Sequence, residues 1–185
     1  FLGDAEIGYF QKTVKKNSSI YKSFYIEFYE NKLLITDSLG KIFSTNLNQA
    51  NENKFKKIQS NSININKTLD TLVVNDLFYI SYIKKEKNSC NVFHIARAKL
   101  NGDKLNFKNF FKYDYCGKWI QGGRMQKYEF NGEKGIIFSL ADNVSDKPTE
   151  EPQSDKSLLG KILFKSFNGK DAVIFSKGHR NPQGL

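Results

Sequence analysis

The sequence predicts an all-β fold, and three observations support that prediction. Short runs of β-branched and aromatic residues recur along the 185 residues, each bounded by Asn, Asp, Gly or Lys. Asn-Gly pairs, whose residues tolerate the positive φ angles of tight hairpin turns, stand at Asn101-Gly102, Asn131-Gly132 and Asn168-Gly169. No segment keeps a helical hydrophobic period over three turns.

Seven of these runs are predicted to be strands. In chain order they are residues 24–28, 33–36, 41–45, 77–82, 92–96, 135–140 and 172–176. Two polar segments between them are predicted to be surface loops. One is residues 46–66, rich in Asn, Lys and Ser, and the other is residues 143–157, which contains Pro148 and Pro152.

A weak internal repeat indicates how the strands are arranged. The sequence SLGKIF at residues 38–43 recurs as LLGKIL at residues 158–163, each time between two strands. A further strand pair, residues 77–83 and 92–98, lies between the two copies. A repeat of roughly 40 to 60 residues is typical of the blades of a β-propeller, whose sheets bury their faces against neighbouring blades. A β-sandwich built from the same strands is the alternative.

Composition and charge exclude some classes of protein. With 39% hydrophobic and 14% aromatic residues, the chain can form one core or part of a larger domain. The net charge is +10, but all basic residues except Arg97, Arg124 and Arg180 are scattered lysines. Nucleic-acid binding usually needs arginines clustered on one face, so no nucleic-acid partner is predicted. No apolar run approaches the ~20 residues of a membrane-spanning helix.

Cys90 and Cys116 are the only cysteines, and they form neither a CxxC pair nor a cluster with histidines. A zinc site is therefore not expected, and no metal ligand is predicted in this chain. Two alternatives remain for the cysteines: one disulfide formed in an oxidising compartment, or two buried thiols.

The densest Gly, Pro and Arg cluster lies at residues 178–184. The planar guanidinium of Arg180 suits carboxylates, Asn181 offers an amide donor and acceptor, and the flanking glycines let the backbone approach a ligand. His179 is expected to make a structural hydrogen bond rather than to act as a base. The alternative for the cluster is a Pro-stiffened turn that closes a blade, with Arg180 capping carbonyl groups.

Residues 178–185, with the sequence GHRNPQGL, resemble the signature of the glucose/sorbosone dehydrogenases, which are six-bladed propellers that hold pyrroloquinoline quinone (PQQ) and calcium on their axis. Gly122-Gly123-Arg124 followed by residues 135–142 resembles the Gly-Gly-Arg and strand-to-Asp region of that family. Residues 33–47 and 159–163 resemble blade hairpins. The resemblance implies that residues 1–185 are a partial domain, truncated at both ends: about half of a propeller with antiparallel four-stranded blades.

The resemblance also implies a PQQ-dependent aldose dehydrogenase that oxidises a sugar hydroxyl in the periplasm or outside the cell. Its cofactor would be bound by Arg180, Asn181, Arg124 and Gln121, and calcium would lie in the other half of the propeller. Family members use a histidine before the Gly-Arg pair as the general base, and Ile120 occupies that position here.

Asp142 matches the family's aspartate near that histidine, so it could orient a base, replace it, or merely form a turn. His94 alternates with apolar residues on a strand and is expected to be a core residue. The alternative function is a non-catalytic secreted propeller that binds a carbohydrate or a protein partner.

Overall fold

The computed structural model describes residues 23–48, 55–61, 63–86, 90–100, 104–118, 120–142 and 151–185. These residues contain thirteen strands. In chain order they are β1 (Phe24–Tyr29), β2 (Lys32–Asp37), β3 (Ile42–Asn46), β4 (Lys56–Ser60), β5 (Lys67–Val74), β6 (Leu77–Lys85), β7 (Asn91–Lys99), β8 (Lys104–Leu105), β9 (Lys108–Gly117), β10 (Gly122–Phe130), β11 (Glu133–Leu140), β12 (Lys161–Ser166) and β13 (Val173–Lys177). No helix in this part of the chain is long and apolar enough to span a membrane.

The strands form three sheets that lie side by side. The first sheet has the order β1-β2-β3-β4-β8, the second β5-β6-β7-β9 and the third β10-β11-β12-β13. The first strand of each sheet contacts the first strand of the next, β1 against β5 and β5 against β10. Mainly antiparallel sheets that follow one another along the chain, with their first strands side by side, are typical of propeller blades. The predicted fold class is therefore confirmed.

The first sheet departs from the predicted four-stranded, antiparallel pattern. Its fifth strand, β8, comes from the connection between β7 and β9 of the second sheet and pairs in parallel with β4. The partners are Gln59 with Lys104 and Ser60 with Leu105. A loop of one blade thus covers the outer edge of its neighbour, which links the two blades and protects an otherwise unpaired edge.

All seven predicted strands are present, but the predicted loop at residues 46–66 was wrong in part because it contains β4. This strand is polar and mostly exposed, so it lacks the apolar alternation by which strands are recognised. Of the second predicted loop, residues 151–157 are irregular as expected, and residues 143–150 lie outside the described residues. The predicted turn at Asn101-Gly102 also lies outside them.

The internal repeat corresponds to a repeated structural position. Gly40 and Gly160 both have positive φ, 77° and 66°, in the connection that precedes the third strand of its sheet. Asn131 and Gly132, with φ of 51° and 77°, form the predicted two-residue turn between β10 and β11. Asn168-Gly169 lies instead within a longer connection between β12 and β13.

The core has two parts, one on each face of the second sheet. Along β6, Phe78, Ile80 and Tyr82 belong to the apolar cluster on the side of the first sheet. Tyr79 and Ile83 belong to the cluster shared with the third sheet. Because neighbouring blades cover both faces of β6, its sequence is a continuous apolar run rather than an alternation.

Cys90 and Cys116 form a disulfide, with their Cα atoms 5.1 Å apart. The bond joins the residue before β7 to the end of β9, and these strands are antiparallel neighbours in the second sheet. Of the two alternatives for the cysteines, the disulfide is therefore confirmed.

Candidate functional site

The segment that follows β13, residues 178–183, crosses the end of the third sheet with its backbone hydrogen-bonded to several neighbouring segments. Two of its amides donate to the irregular segment before β12: Gly178 N to Pro152 O at 2.7 Å and His179 N to Gly160 O at 3.0 Å. These two hydrogen bonds hold the first two residues of the turn in place.

Three carbonyl oxygens of the same turn accept hydrogen bonds from the third sheet. Asp142 N donates to Arg180 O at 2.8 Å. The Ser139 Oγ donates to Pro182 O at 3.1 Å, and the Arg124 Nε donates to Gln183 O at 3.0 Å. With its backbone groups directed at the protein, the turn exposes the side chains of Arg180, Asn181 and Gln183.

The exposed side chains form a small polar group. The Gln183 Nε2 donates to the Asn181 Oδ1, which orients both amides. Arg180, which precedes Asn181 in sequence, is also exposed, and a guanidinium can donate paired hydrogen bonds to an anion. His179 is directed elsewhere, because its Nε2 lies 2.7 Å from the Ser176 Oγ. That contact matches the structural role expected for this histidine.

Arg124 contacts the backbone of the turn through Gln183 O and also contacts the first two sheets. Its Nη1 is 3.3 Å from the Asp70 Oδ1, and its guanidinium carbon lies 5.8 Å from the centre of the Tyr25 ring. Tyr25 lies on β1, Asp70 on β5 and Arg124 on β10. With its bond to Gln183 O, Arg124 therefore links the first strand of each sheet to the turn. The cofactor-binding role that the family resemblance implies for Arg124 stays a prediction.

A bulge at the start of β10 brings Arg124 to this position. Gly122 and Gly123 have φ of 84° and 81°, a region that favours glycine, and the pairing of β10 with β11 shifts there. A Cβ atom on Gly123 would lie 2.6 Å from the Cβ of Leu69. Gly123 O also accepts a 2.6 Å hydrogen bond from the buried Ser81 Oγ of the second sheet.

The remaining predicted site residues lie deeper. Asp142 is only 7% exposed, directly under Arg180 through its backbone bond. Gln121 is half-buried, and its carbonyl oxygen accepts from Ala141 N at 3.1 Å. Ile120 is 4% exposed and belongs to the apolar cluster between the second and third sheets. The structure thus places Asp142 next to the turn and offers no proton acceptor at position 120.

His94 lies on β7, where it is buried and its ring stacks on Tyr82 at 5.2 Å. Burial lowers the pKa of His94, and the charges of Lys84 and Lys112 act in the same direction. A neutral, stacked imidazole within the second sheet is the core residue that the sequence predicts.

Two carboxylates on the first strands of the first and second sheets, β1 and β5, were not predicted from the sequence. Asp70 accepts from Met125 N of the next inner strand at 2.8 Å, and Glu27 accepts from Val73 N at 3.2 Å. Burial raises the pKa of Asp70 and raises that of Glu27 to about 7. Each carboxylate links its blade to the next. Nothing in the local sequence distinguishes them from solvent-facing strand residues.

Among the residues that the structure describes, no three His, Cys, Asp or Glu side chains come together as a group able to hold a metal ion.

Comparison with known proteins identifies the fold. No protein-family model matches the sequence, and no curated protein matches it. Among solved structures, the soluble aldose sugar dehydrogenase of Escherichia coli, in its apo form, superposes with a TM-score of 0.68 at 16% identity, covering 85% of this chain and 51% of that one. A glucose dehydrogenase gives 0.66 at 19% identity, with 88% and 53% covered. A second gives 0.63 at 18% identity, with 86% and 52% covered.

The chain thus spans about half the length of the dehydrogenases on which it superposes. At these identities the similarity concerns the fold, which the three sheets described above had already indicated. The protein has the fold of about half of a sugar dehydrogenase-like β-propeller.

Proposed function

We propose that this protein is a quinone-dependent sugar dehydrogenase-like protein in which the turn at residues 178–183 binds pyrroloquinoline quinone. One observation supports this most: the backbone of the turn is held by Asp142, Ser139 and Arg124, while the side chains of Arg180 and Asn181 stay exposed. A turn that only closed a blade would not need to expose an arginine and an amide side by side.

The residues present fit such a cofactor. Pyrroloquinoline quinone carries three carboxylates, and the Arg180 guanidinium can donate two parallel hydrogen bonds to one of them. Asn181 and Gln183 add amide groups that their mutual hydrogen bond orients in advance. When bound, the quinone would accept the two electrons that the sugar gives up.

Among the residues that the structure describes, Asp142 is the candidate to take the hydroxyl proton of a sugar. Its backbone amide donates to Arg180 O at 2.8 Å, and its charge lies near enough to that of the buried Lys161 ammonium for the two to interact. Substrate binding would have to bring the hydroxyl within hydrogen-bond distance of this largely buried group.

A second candidate function is favoured by Ile120. Its side chain is packed in the core at the position where the resembling dehydrogenases carry a base. If Asp142 does not replace that base, the protein is a non-catalytic propeller that binds a carbohydrate or a protein partner. For both candidates we propose a periplasmic or extracellular location, because disulfides persist in oxidising compartments.

The test is quinone binding by the full-length protein, measured by calorimetry with calcium present. Arg180→Ala removes a charge-assisted contact and should weaken binding by about 1.5 to 3 kcal/mol, or roughly ten- to a hundredfold. The matched control is Arg97→Ala, because Arg97 lies on β7 over the Phe110 ring and outside the turn.

The result also separates the two candidates. Quinone binding with dye reduction by a sugar establishes a dehydrogenase, whereas binding without turnover favours the non-catalytic protein. If the natural protein does not bind quinone and Arg180→Ala changes only stability, the cofactor proposal is wrong.

A further inference from the structure

Lys161, the first residue of β12, is a buried cation at the base of the candidate site. Its side chain is 0% exposed. Its Nζ donates three hydrogen bonds, to Glu151 O at 2.7 Å, Pro152 O at 2.9 Å and Leu159 O at 2.8 Å. The three donors of an ammonium group are thus all used by backbone carbonyls.

These carbonyls belong to residues 151–159, which form no strand and pair with no sheet. A segment without strand pairing needs other contacts to hold one conformation. Lys161 provides such contacts, because its ammonium bonds both Glu151 O at the start of the segment and Leu159 O at its end. The ammonium therefore fixes the shape of this segment.

The same segment holds the start of the turn at residues 178–183. Pro152 O accepts from the Lys161 Nζ and also from Gly178 N, at 2.9 and 2.7 Å. One carbonyl oxygen thus joins the buried ammonium to the turn that exposes Arg180 and Asn181. Asp142, beneath Arg180, also lies near enough to Lys161 for their charges to interact.

We infer that Lys161 is a positioning residue for the ligand-binding turn: it acts through Pro152 to fix Gly178 and so the direction of the Arg180 and Asn181 side chains. The ligand part of this inference rests on the function proposed above. The positional part does not, because it concerns the conformation of the free protein.

Lys165 provides a matched control on the same strand. It is 4% exposed, and its Nζ donates to Gly169 O and Lys170 O in the connection between β12 and β13. Lys161→Met and Lys165→Met therefore each remove one buried ammonium from β12, but only the first contacts the segment that holds the turn.

Hydrogen exchange of the Gly178 and His179 amides tests the positional part. Lys161→Met should speed exchange at these amides by about tenfold or more, relative to the slowest amides of β11, since a hydrogen-bonded anchor is lost. Lys165→Met should leave that ratio unchanged. Equal effects of the two variants, or no effect of Lys161→Met, would overturn the inference. If Lys161→Met does not fold, Lys161→Arg and Lys165→Arg retain the charge but replace the ammonium by a planar fork that cannot repeat the three bonds of Lys161. Lys161→Arg should then speed exchange at Gly178 and Lys165→Arg should not, and equal effects would overturn the inference.

Binding of pyrroloquinoline quinone tests the ligand part. If the natural protein binds it, Lys161→Met should weaken binding about tenfold while Lys165→Met has little effect. Faster exchange at Gly178 with unchanged quinone affinity would refute the link between position and binding. If the natural protein binds no quinone, the proposed function fails, and the exchange comparison still decides whether Lys161 positions the turn.

Discussion

At the scale of single residues, Glu27 couples the packing of two blades to pH. Its carboxylate accepts from Val73 N and from the Thr71 Oγ1, at 3.2 and 3.4 Å, across the boundary between β1 and β5. Burial, with a smaller contribution from the nearby Asp70 carboxylate, raises the pKa of Glu27 to about 7, although the hydrogen bonds from Val73 and Thr71 act in the opposite direction. The folded protein therefore prefers the protonated form of Glu27.

The sign of the resulting pH dependence follows from the raised pKa. The stabilisation is complete below the ordinary glutamate pKa and is lost as the pH rises through about 7. Between pH 5 and pH 8.5 the free energy of unfolding should fall by about 1 to 2 kcal/mol, since solvent screens this half-buried group. Urea denaturation at several pH values measures it.

Glu27→Gln should remove most of this dependence and leave a smaller remainder, because burial also raises the pKa of Asp70. Glu133→Gln, which changes an exposed carboxyl on β11, is the control and should leave the dependence intact. An unchanged pH profile in Glu27→Gln would show that Glu27 is not the responsible group.

At the scale of elements, the disulfide joins two neighbouring strands of the second sheet. Cys90 and Cys116 are separated by 26 positions in sequence. Closing a loop of this length stabilises a fold by about 3 kcal/mol in the chain-entropy estimate. The double variant Cys90→Ala/Cys116→Ala should therefore lose up to that amount of unfolding free energy, measured by chemical denaturation.

Reduction provides the control for this prediction. Dithiothreitol should lower the stability of the natural protein to that of the double variant and should not affect the variant. Two titratable thiols in the unreduced, unfolded protein would contradict the disulfide. Because the bond lies in the sheet between the two cores, its loss should loosen β7 and β9 before the third sheet.

At the scale of the whole molecule, large apolar side chains remain exposed on the two sheets that flank the second. Ile26 and Phe28 on β1 are 52% and 64% exposed. On the third sheet, Tyr128 and Phe175 are 41% and 39% exposed and contact each other, with ring centres 5.6 Å apart. Blade faces are normally covered by neighbouring blades.

The 185-residue polypeptide should therefore self-associate through these faces. Phe28→Lys combined with Phe175→Lys should reduce the apparent mass in light scattering at a given protein concentration. Leu47→Lys, which changes an isolated exposed side chain, is the control and should have little effect. A monodisperse, cooperatively melting natural polypeptide would contradict the prediction.

Features that depend on neighbouring residues could be predicted from the amino-acid sequence. These are the apolar strands such as β6 and β11, the two-residue turn at Asn131-Gly132 and the repeated Gly-Lys-Ile connections. The turn at residues 178–183 was also recognisable, because its Gly, Arg, Asn and Pro residues lie within five positions of one another. Adjacent residues set the local conformational preference of the backbone, so strands and turns of this kind can be recognised without knowledge of the fold.

Features that depend on distant residues could be recognised only from the three-dimensional fold. Asp70 binds an amide 55 positions away, and Arg124 binds a carbonyl 59 positions away. The polar strand β4 forms because β3 and β8 pair with it, although its own sequence resembles a loop. Lys161, one of many lysines in the sequence, has its structural role because the fold buries its ammonium against three carbonyl oxygens. Burial and long-range pairing give these residues their roles, and both exist only once the blades have packed.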